Sequence, residues 1–239
     1  MTMALPAPPG NRLLAALPPK EWSRLAPMLE RVHVDEGALL YEPGQPIRHL
    51  YFPDDCLVSL LAVAEGRMTL EVGLVGHEGM LGATVALGHD LAQVRAVVQR
   101  SGSAGRVESA RFRAEFARNP ALQRVLYRYT DALLAQAIQL AVCSRFHVLE
   151  ARLARSLLVT RDRLHSDKFH LTHEFLAHAL GVRRVGVTKA ASTLQHQGLI
   201  IYSRGNIEIL DLAGLAEVSC RCYEIVRDAE AAAGSNVFA

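Results

Sequence analysis

Residues 181–200 read GVRRVGVTKAASTLQHQGLI. A helix that begins at the two adjacent arginines confines its apolar residues to one narrow stripe, Val187, Ala191 and Leu194, with Ala190 beside them. The opposite face carries Arg184, Gly186, Thr188, Lys189, Ser192 and Gln195, so it is small, flat and basic. Such a period packs the stripe on a core and leaves the other side to solvent or to a partner.

Upstream of this helix, THEFLAHAL predicts another, capped by Thr172 and closed by a tight turn at Gly181. Downstream, LIIYSRGNIEIL predicts a hairpin turning at Arg204, Gly205 and Asn206. Helix, glycine-containing turn, helix and two-stranded wing is the order of a winged helix-turn-helix, whose second helix enters the DNA major groove with its N-terminal residues against base edges. On that reading Arg184 and Lys189 lie on the groove side and Gly186 allows close approach. Thr188, Ser192 and Gln195 offer neutral donors and acceptors, and Val185 meets a thymine methyl. Thr172, His173, Arg183 and Arg204 complete the predicted DNA-binding set. A helical hairpin with a solvated basic face has the same sequence signature.

Charge supports a polyanion partner. Residues 145–210 hold ten Lys and Arg against five Asp and Glu, whereas residues 1–144 hold fourteen of each and residues 211–239 hold two against five. The basic excess therefore sits around the predicted recognition helix. The length of 239 residues favours two domains. No apolar run approaches the roughly 18 residues of a membrane span, so no membrane partner is expected. The start, MTMALPAPPGNR, is a Pro-rich tail that does not read as a secretory signal, and the expectation is a cytoplasmic protein. Cys56, Cys143, Cys220 and Cys222 are scattered apart from one C-x-C, too sparse for a disulfide framework and wrongly spaced for a zinc finger, so buried, idle thiols and no metal site are expected.

The first half reads differently. After PPKEWSRLAPML, a helix with Trp22, Leu25 and Leu29 on one face, come ALLYEPGQ, IRHLYFPDD, CLVSLLAVAEG, RMTLEVGLVG and QVRAVVQRSGSAGRVES. These short, β-branched and aromatic runs, divided by Gly, Pro and Asp turns, predict a mostly β domain to about residue 110. From Asn119, a helix opened by Pro120 carries Leu122, Leu126, Tyr129, Leu133, Gln136, Leu140 and Cys143 at alternating spacings of four and three. Packing within its own domain is one reading of this seam. A parallel dimer interface with Gln136 fixing register is the other, and the better for a helix between β-rich and helical halves. A second helix, VLEARLARSLLVTRDRL, turns Leu149, Leu153, Leu157 and Leu158 inward.

With these residues in place, the chain resembles the CRP/FNR-type bacterial transcription regulators over roughly residues 12–212. The strongest part is LTHEFLAHALGVRRVGVTKAASTLQHQGLI, where Thr172, Leu176, Ala177, Leu180, Gly181, Arg184, Val187 and Lys189 match the family's T-x-x-x-[IL]-[AG]-x-x-[LVI]-G-x-[ST]-R-E-[TS]-V-x-[RK]. Arg183 replaces the family's capping Ser or Thr and Val185 a base-reading Glu, which implies a different operator. The resemblance implies an α+β chain in three parts. Residues 12–117 form a cyclic-nucleotide-binding-like β-roll, 118–146 a long dimerisation helix, and 147–239 a winged helix-turn-helix with a C-terminal helical tail. It implies double-stranded DNA, a second copy of the chain and RNA polymerase as partners.

The sensor half departs further. The Gly-Glu pair that holds a cyclic-nucleotide ribose becomes Gly82 and Ala83, and the phosphate-holding Arg-Ser falls near Ala92 and Gln93. Arg95 reaches that place only by a register slip. The adenine positions fall near Ala137 and Ile138. Cyclic AMP is not expected, and the clustered cysteines of iron-sulfur members are missing from the start. Gly79, Gly82, Arg95 and Gln136 remain the candidate effector residues, with His77 and Glu78 beside them, for a small molecule of unspecified chemistry and no fixed cofactor. The histidines of HSDKFHLTH are expected in a loop leading into the helix-turn-helix. With no G-x-S-x-G elbow, P-loop or H-E-x-x-H in the sequence, an enzyme is not expected. The expected function is a homodimeric regulator on an inverted repeat; the alternative is a small-molecule or redox sensor acting through protein contacts.

Overall fold

The computed structural model describes residues 10–64 and 68–234. The Pro-rich start, residues 65–67 at the junction of two of the predicted strand segments, and residues 235–239 lie outside the described residues. A short helix α1 (Arg12–Ala15) is anchored by Asn11, which is fully buried. The Asn11 side chain accepts from Leu14 N and donates to the carbonyls of Pro53 and Gly79, each at 2.8 Å. Helix α2 (Pro19–Leu25) starts at a proline, as expected for a first turn whose N–H groups have no helical partner.

The strands are β1 (Glu30–Val34), β2 (Leu39–Tyr41), β3 (His49–Pro53), β4 (Leu57–Val63), β5 (Thr69–Val75), β6 (Arg95–Arg100) and β7 (Gly102–Glu108). They form two antiparallel sheets in the orders β1-β7-β3 and β2-β6-β4-β5. Between them lies a core that includes Leu50, Phe52, Val58, Val98 and Val107, closed by Phe112 of α3 (Ser109–Ala117). Alternation along strands buried on one face accounts for these positions.

The β-roll buries one polar chain. Ser59 Oγ lies 2.8 Å from Glu71 Oε2 and 3.1 Å from Gln99 Oε1, and all three residues are buried. A hydroxyl has one proton for two such acceptors, so the arrangement is complete when a protonated Glu71 donates to Ser59 and Ser59 donates to Gln99. Burial pushes the Glu71 carboxyl above its ordinary value, against the opposing pull of the Ser59 hydrogen bond. The folded state then keeps a proton that the unfolded state releases, so this group's contribution to stability falls as pH rises through the raised value. Glu71→Gln should flatten that slope in urea denaturation followed from acid to neutral pH, and at neutral pH should raise stability.

Helix α4 (Pro120–Phe146) opens on Asn119, whose side chain accepts from Leu122 N at 3.0 Å. Its heptad seam is turned inward, a correction to the dimer interface expected from sequence. Leu122 and Leu126 lie in the β-roll core, Tyr129 donates to the Met80 carbonyl at 2.9 Å, and Gln136 accepts from Leu74 N at 3.2 Å. Leu140 and Cys143 are buried, and Leu133 is half-buried beside a cavity. The cover comes from the chain's own strands and from α9 (Cys222–Gly234), which returns along α4. The large apolar residues that α4 leaves exposed are Tyr127, Leu134, Ile138, Val142 and, at its end, Phe146.

Helix α5 (Leu149–Leu164) buries Leu153, Leu157 and Leu158 against Leu57 and Leu74 of the β-roll and against the C-terminal helices. Then follow β8 (Lys168–His170), α6 (His173–Leu180), α7 (Arg184–His196), β9 (Ile200–Ser203), β10 (Asn206–Ile209) and α8 (Leu212–Val218). The wing is a three-stranded sheet in the order β8-β10-β9, so part of the expected loop before α6 is a strand. Its histidines separate: His165 sits beside His77, His170 packs over the wing turn and His173 opens α6.

Candidate nucleic-acid interface

Helix α6 is capped by Thr172, whose Oγ1 accepts from Phe175 N at 3.1 Å, and ends at Gly181 in a left-handed conformation, φ 64°. A side chain there would be strained and would press on Leu70. The turn places α7 across α6 with Val187, Ala190, Ala191 and Leu194 buried, the stripe read from the sequence. Arg183, Arg184, Val185, Thr188, Lys189 and Ser192 are exposed on its outer side. Arg183 occupies the cap position without a capping side-chain hydrogen bond, so no side chain caps the N–H groups of Arg184 and Val185 at the start of α7. Donors of this kind suit a phosphate.

His173 links the two helices. Its ring stacks on Tyr202 at 3.9 Å, and its Nδ1 lies 3.0 Å from Thr188 Oγ1. Because Thr188 also donates to the Arg184 carbonyl at 3.1 Å, Nδ1–H is the donor in the contact with Thr188. Burial, then the neighbouring Arg184, lowers the pKa of His173, which favours this neutral form. Thr188 and His173 thus order one another, and Arg184 and Lys189 are left on either side. At the wing tip Arg204 and Gly205 both have positive φ, 50° and 88°, the pattern of a two-residue turn that matches strand twist. The Arg204 side chain is exposed there.

A β-carbon on Gly186 would lie 3.1 Å from the Leu149 side chain of α5, so the glycine also eases the approach of α7 to α5.

The four effector candidates do not form one site. Gly79 lies under Tyr129, where a β-carbon would come within 2.5 Å of the ring, and Gly82 (φ 86°) lies under the Tyr41 hydroxyl. Arg95 forms a two-pronged ion pair with Glu42, at 2.8 and 2.5 Å. Gln136 alone of the four lines a cavity of about 560 Å³ between the β-roll, α4, α5 and α9. His77 and Glu78 also line that cavity. At its wall the buried Arg163 pairs with Glu78 at 3.0 Å and Glu230 at 2.5 Å, while Gln136 donates to Glu230 at 3.3 Å. Burial works against the charge of Arg163, but Glu78 and then Glu230 outweigh it and raise its pKa. Sequence reasoning named Gln136 and Glu78 but not the cluster, because its members come from three helices and the turn after β5 and share no motif.

Residues 151–218 match the model of the Crp-like helix-turn-helix domain. A transcriptional regulator of the CRP/FNR family from Eubacterium rectale superposes with a TM-score of 0.68 at 16% identity, over 84% of this chain and 94% of that one. The c-di-GMP responsive global regulator CLP of Xanthomonas campestris gives 0.67 at 18% identity, over 80% and 99%. FixK2 from Bradyrhizobium japonicum gives 0.67 at 14% identity, over 80% and 98%. No curated protein sequence matches the chain. A β-roll, a long helix and a winged helix-turn-helix in this order, with the domain match inside the last, give the chain the fold of the CRP/FNR transcription regulators and make residues 151–218 a Crp-like helix-turn-helix domain.

Proposed function

We propose that the protein is a sequence-specific DNA-binding transcription regulator, not an enzyme, that acts as a two-fold homodimer on an inverted repeat. One observation carries this reading: α7 buries its apolar stripe completely and turns Arg183, Arg184, Thr188, Lys189 and Ser192 outward, with Arg204 exposed on the adjoining wing. The dimer rests on a different face of α4 from the heptad seam, the exposed Tyr127, Leu134, Ile138 and Val142. These recur at spacings of seven and four and so line one side of the helix. The effector is not cyclic AMP: Ala92 is buried and Arg95 is held by Glu42. A cyclic phosphate there would lose its water without gaining a free cation.

Selection of bound sequences from random DNA with purified protein tests the reading. The expected product is a palindrome with half-site centres about 34 Å apart, bound with affinity that falls steeply with salt. Arg184→Ala should relax the choice of base at one position by about 1 to 3 kcal/mol, because an arginine near the helix start can place two donors on a guanine. Lys189→Ala should weaken all sequences more evenly. Equal loss on every sequence for Arg184→Ala would rule out base reading there.

A further inference from the structure

Three of the four cysteines, expected to be scattered and idle, meet one histidine. Cys143 and His147 stand one turn apart at the C-terminal end of α4, while Cys220 lies in the turn between α8 and α9 and Cys222 opens α9. The three Sγ atoms and one histidine ring nitrogen all lie within 4.8 Å of one another. Cys143 Sγ is 3.5 Å from Cys220 Sγ, and Cys222 Sγ is 3.4 Å from His147 Nδ1. We propose that Cys143, His147, Cys220 and Cys222 form a tetrahedral site for one zinc ion.

The distances suit that ion. Zinc bonds of about 2.3 Å to sulfur and 2.0 Å to nitrogen set tetrahedral edges of about 3.8 Å between sulfurs and 3.5 Å between sulfur and nitrogen. The two short separations are already near those edges, and closing the longest needs a movement of about 1 Å. Four donors this close enclose a single ion; an iron-sulfur cluster, with its bridging sulfides, needs them further apart.

The surroundings fit the charge and the geometry. Three thiolates and a divalent ion carry one net negative charge, and the buried guanidinium groups of Arg152 and Arg155 both act electrostatically on Cys143. Arg155 Nε has no hydrogen-bond partner among the described residues. Gln139 Nε2 donates to Cys222 Sγ at 3.0 Å, an outer contact of the kind that orients a metal thiolate. Cys222 opens α9, and the amide end of that helix favours the net negative charge. The ion joins the end of the long helix to the root of α9. The inference stands whether or not the protein binds DNA.

Full-length untagged protein, purified under reducing conditions and dialysed against metal-free buffer, should contain about one zinc per chain. After chelation, titration with Co²⁺ should give the visible bands and near-ultraviolet sulfur-to-metal absorption of a tetrahedral thiolate site, saturating at about one equivalent. Cys222→Ser and Cys143→Ser should lose the metal, and Cys56→Ser, remote from the cluster, should keep it. Because a variant lacking a ligand can fail to fold, the cobalt titration of the unaltered chain decides. Absence of saturable cobalt binding by the reduced protein, a Cys143–Cys220 disulfide in that protein by mass spectrometry, or iron with acid-labile sulfide in place of zinc would each overturn the site.

Discussion

Arg163→Met is expected to destabilise the folded chain by about 3 kcal/mol, because it removes the one cation that two largely buried carboxylates share. The Arg163 side chain is 5% exposed, Glu78 14% and Glu230 29%, so water can compensate Glu230 in part and Glu78 very little. That places the loss at the lower end of the range for breaking a buried ion pair. In a chain of this size it corresponds to a fall of roughly 6 to 12 °C in Tm, readable by thermal or urea denaturation. The loss should shrink as pH is lowered. Burial already holds the Glu230 carboxyl above its ordinary range while Arg163 pulls the other way. Without the guanidinium, the folded state takes up a proton more readily than the unfolded state, and lower pH favours it. Adding Glu230→Gln to Arg163→Met should recover part of the deficit. Additive losses in that double-mutant cycle would show that the pair is not coupled.

Leu134→Asp with Ile138→Asp is expected to give a folded monomer that has lost at least about 10³-fold of its preference for specific over random DNA. Both side chains are more than half exposed, at 58% and 56%, so the change leaves the protomer's own packing intact. Brought against a second copy, the carboxylates would be buried beside like charges, and the interface would not form. A single α7 then meets a single half-site. Sedimentation gives the oligomeric state, circular dichroism the fold, and salt-dependent binding the specificity. A dimer that persists with both aspartates would move the interface elsewhere. Placing charges at Leu133 and Leu140 is a poorer test, since Leu140 is buried within the protomer and its replacement would damage the fold first.

That difference shows what a periodic pattern reports. The spacing of Leu122, Leu126, Tyr129, Leu133, Gln136, Leu140 and Cys143 identifies one helix and its apolar side, and both are present. It carries no information about what covers that side, and here the cover is β5, the segment around Met80, and α9 rather than another chain. Helix α7 was legible because its stripe, the Thr172 cap and the Gly181 turn are local features, settled within a few residues of backbone. Strand β8 was not, since three residues are too short to show a period and its pairing is with residues of β10. The cysteine cluster is readable only in halves, a C-x-x-x-H on one helix face and a C-x-C. The contact that joins Cys222 to His147 spans 75 positions. A glycine's sequence context does not show what approaches it: at Gly79 it is the ring of Tyr129, where a β-carbon would come within 2.5 Å.

The contact between β5 and α6 bears on how separable the two halves are. Thr69 Oγ1 donates to the His178 carbonyl at 3.1 Å, and Leu70 lies against Gly181, the glycine that sets the angle between α6 and α7. The β-roll sheet therefore touches the turn of the helix-turn-helix directly, with no helix in between. A chimera that joins residues 147–234 to another β-roll would cut the chain at an obvious boundary and still separate the turn from the strand that supports it. The transplantable unit is the C-terminal domain together with the surface of β5, and a working hybrid needs Thr69 and Leu70, or residues of their size and bonding, on the receiving sheet.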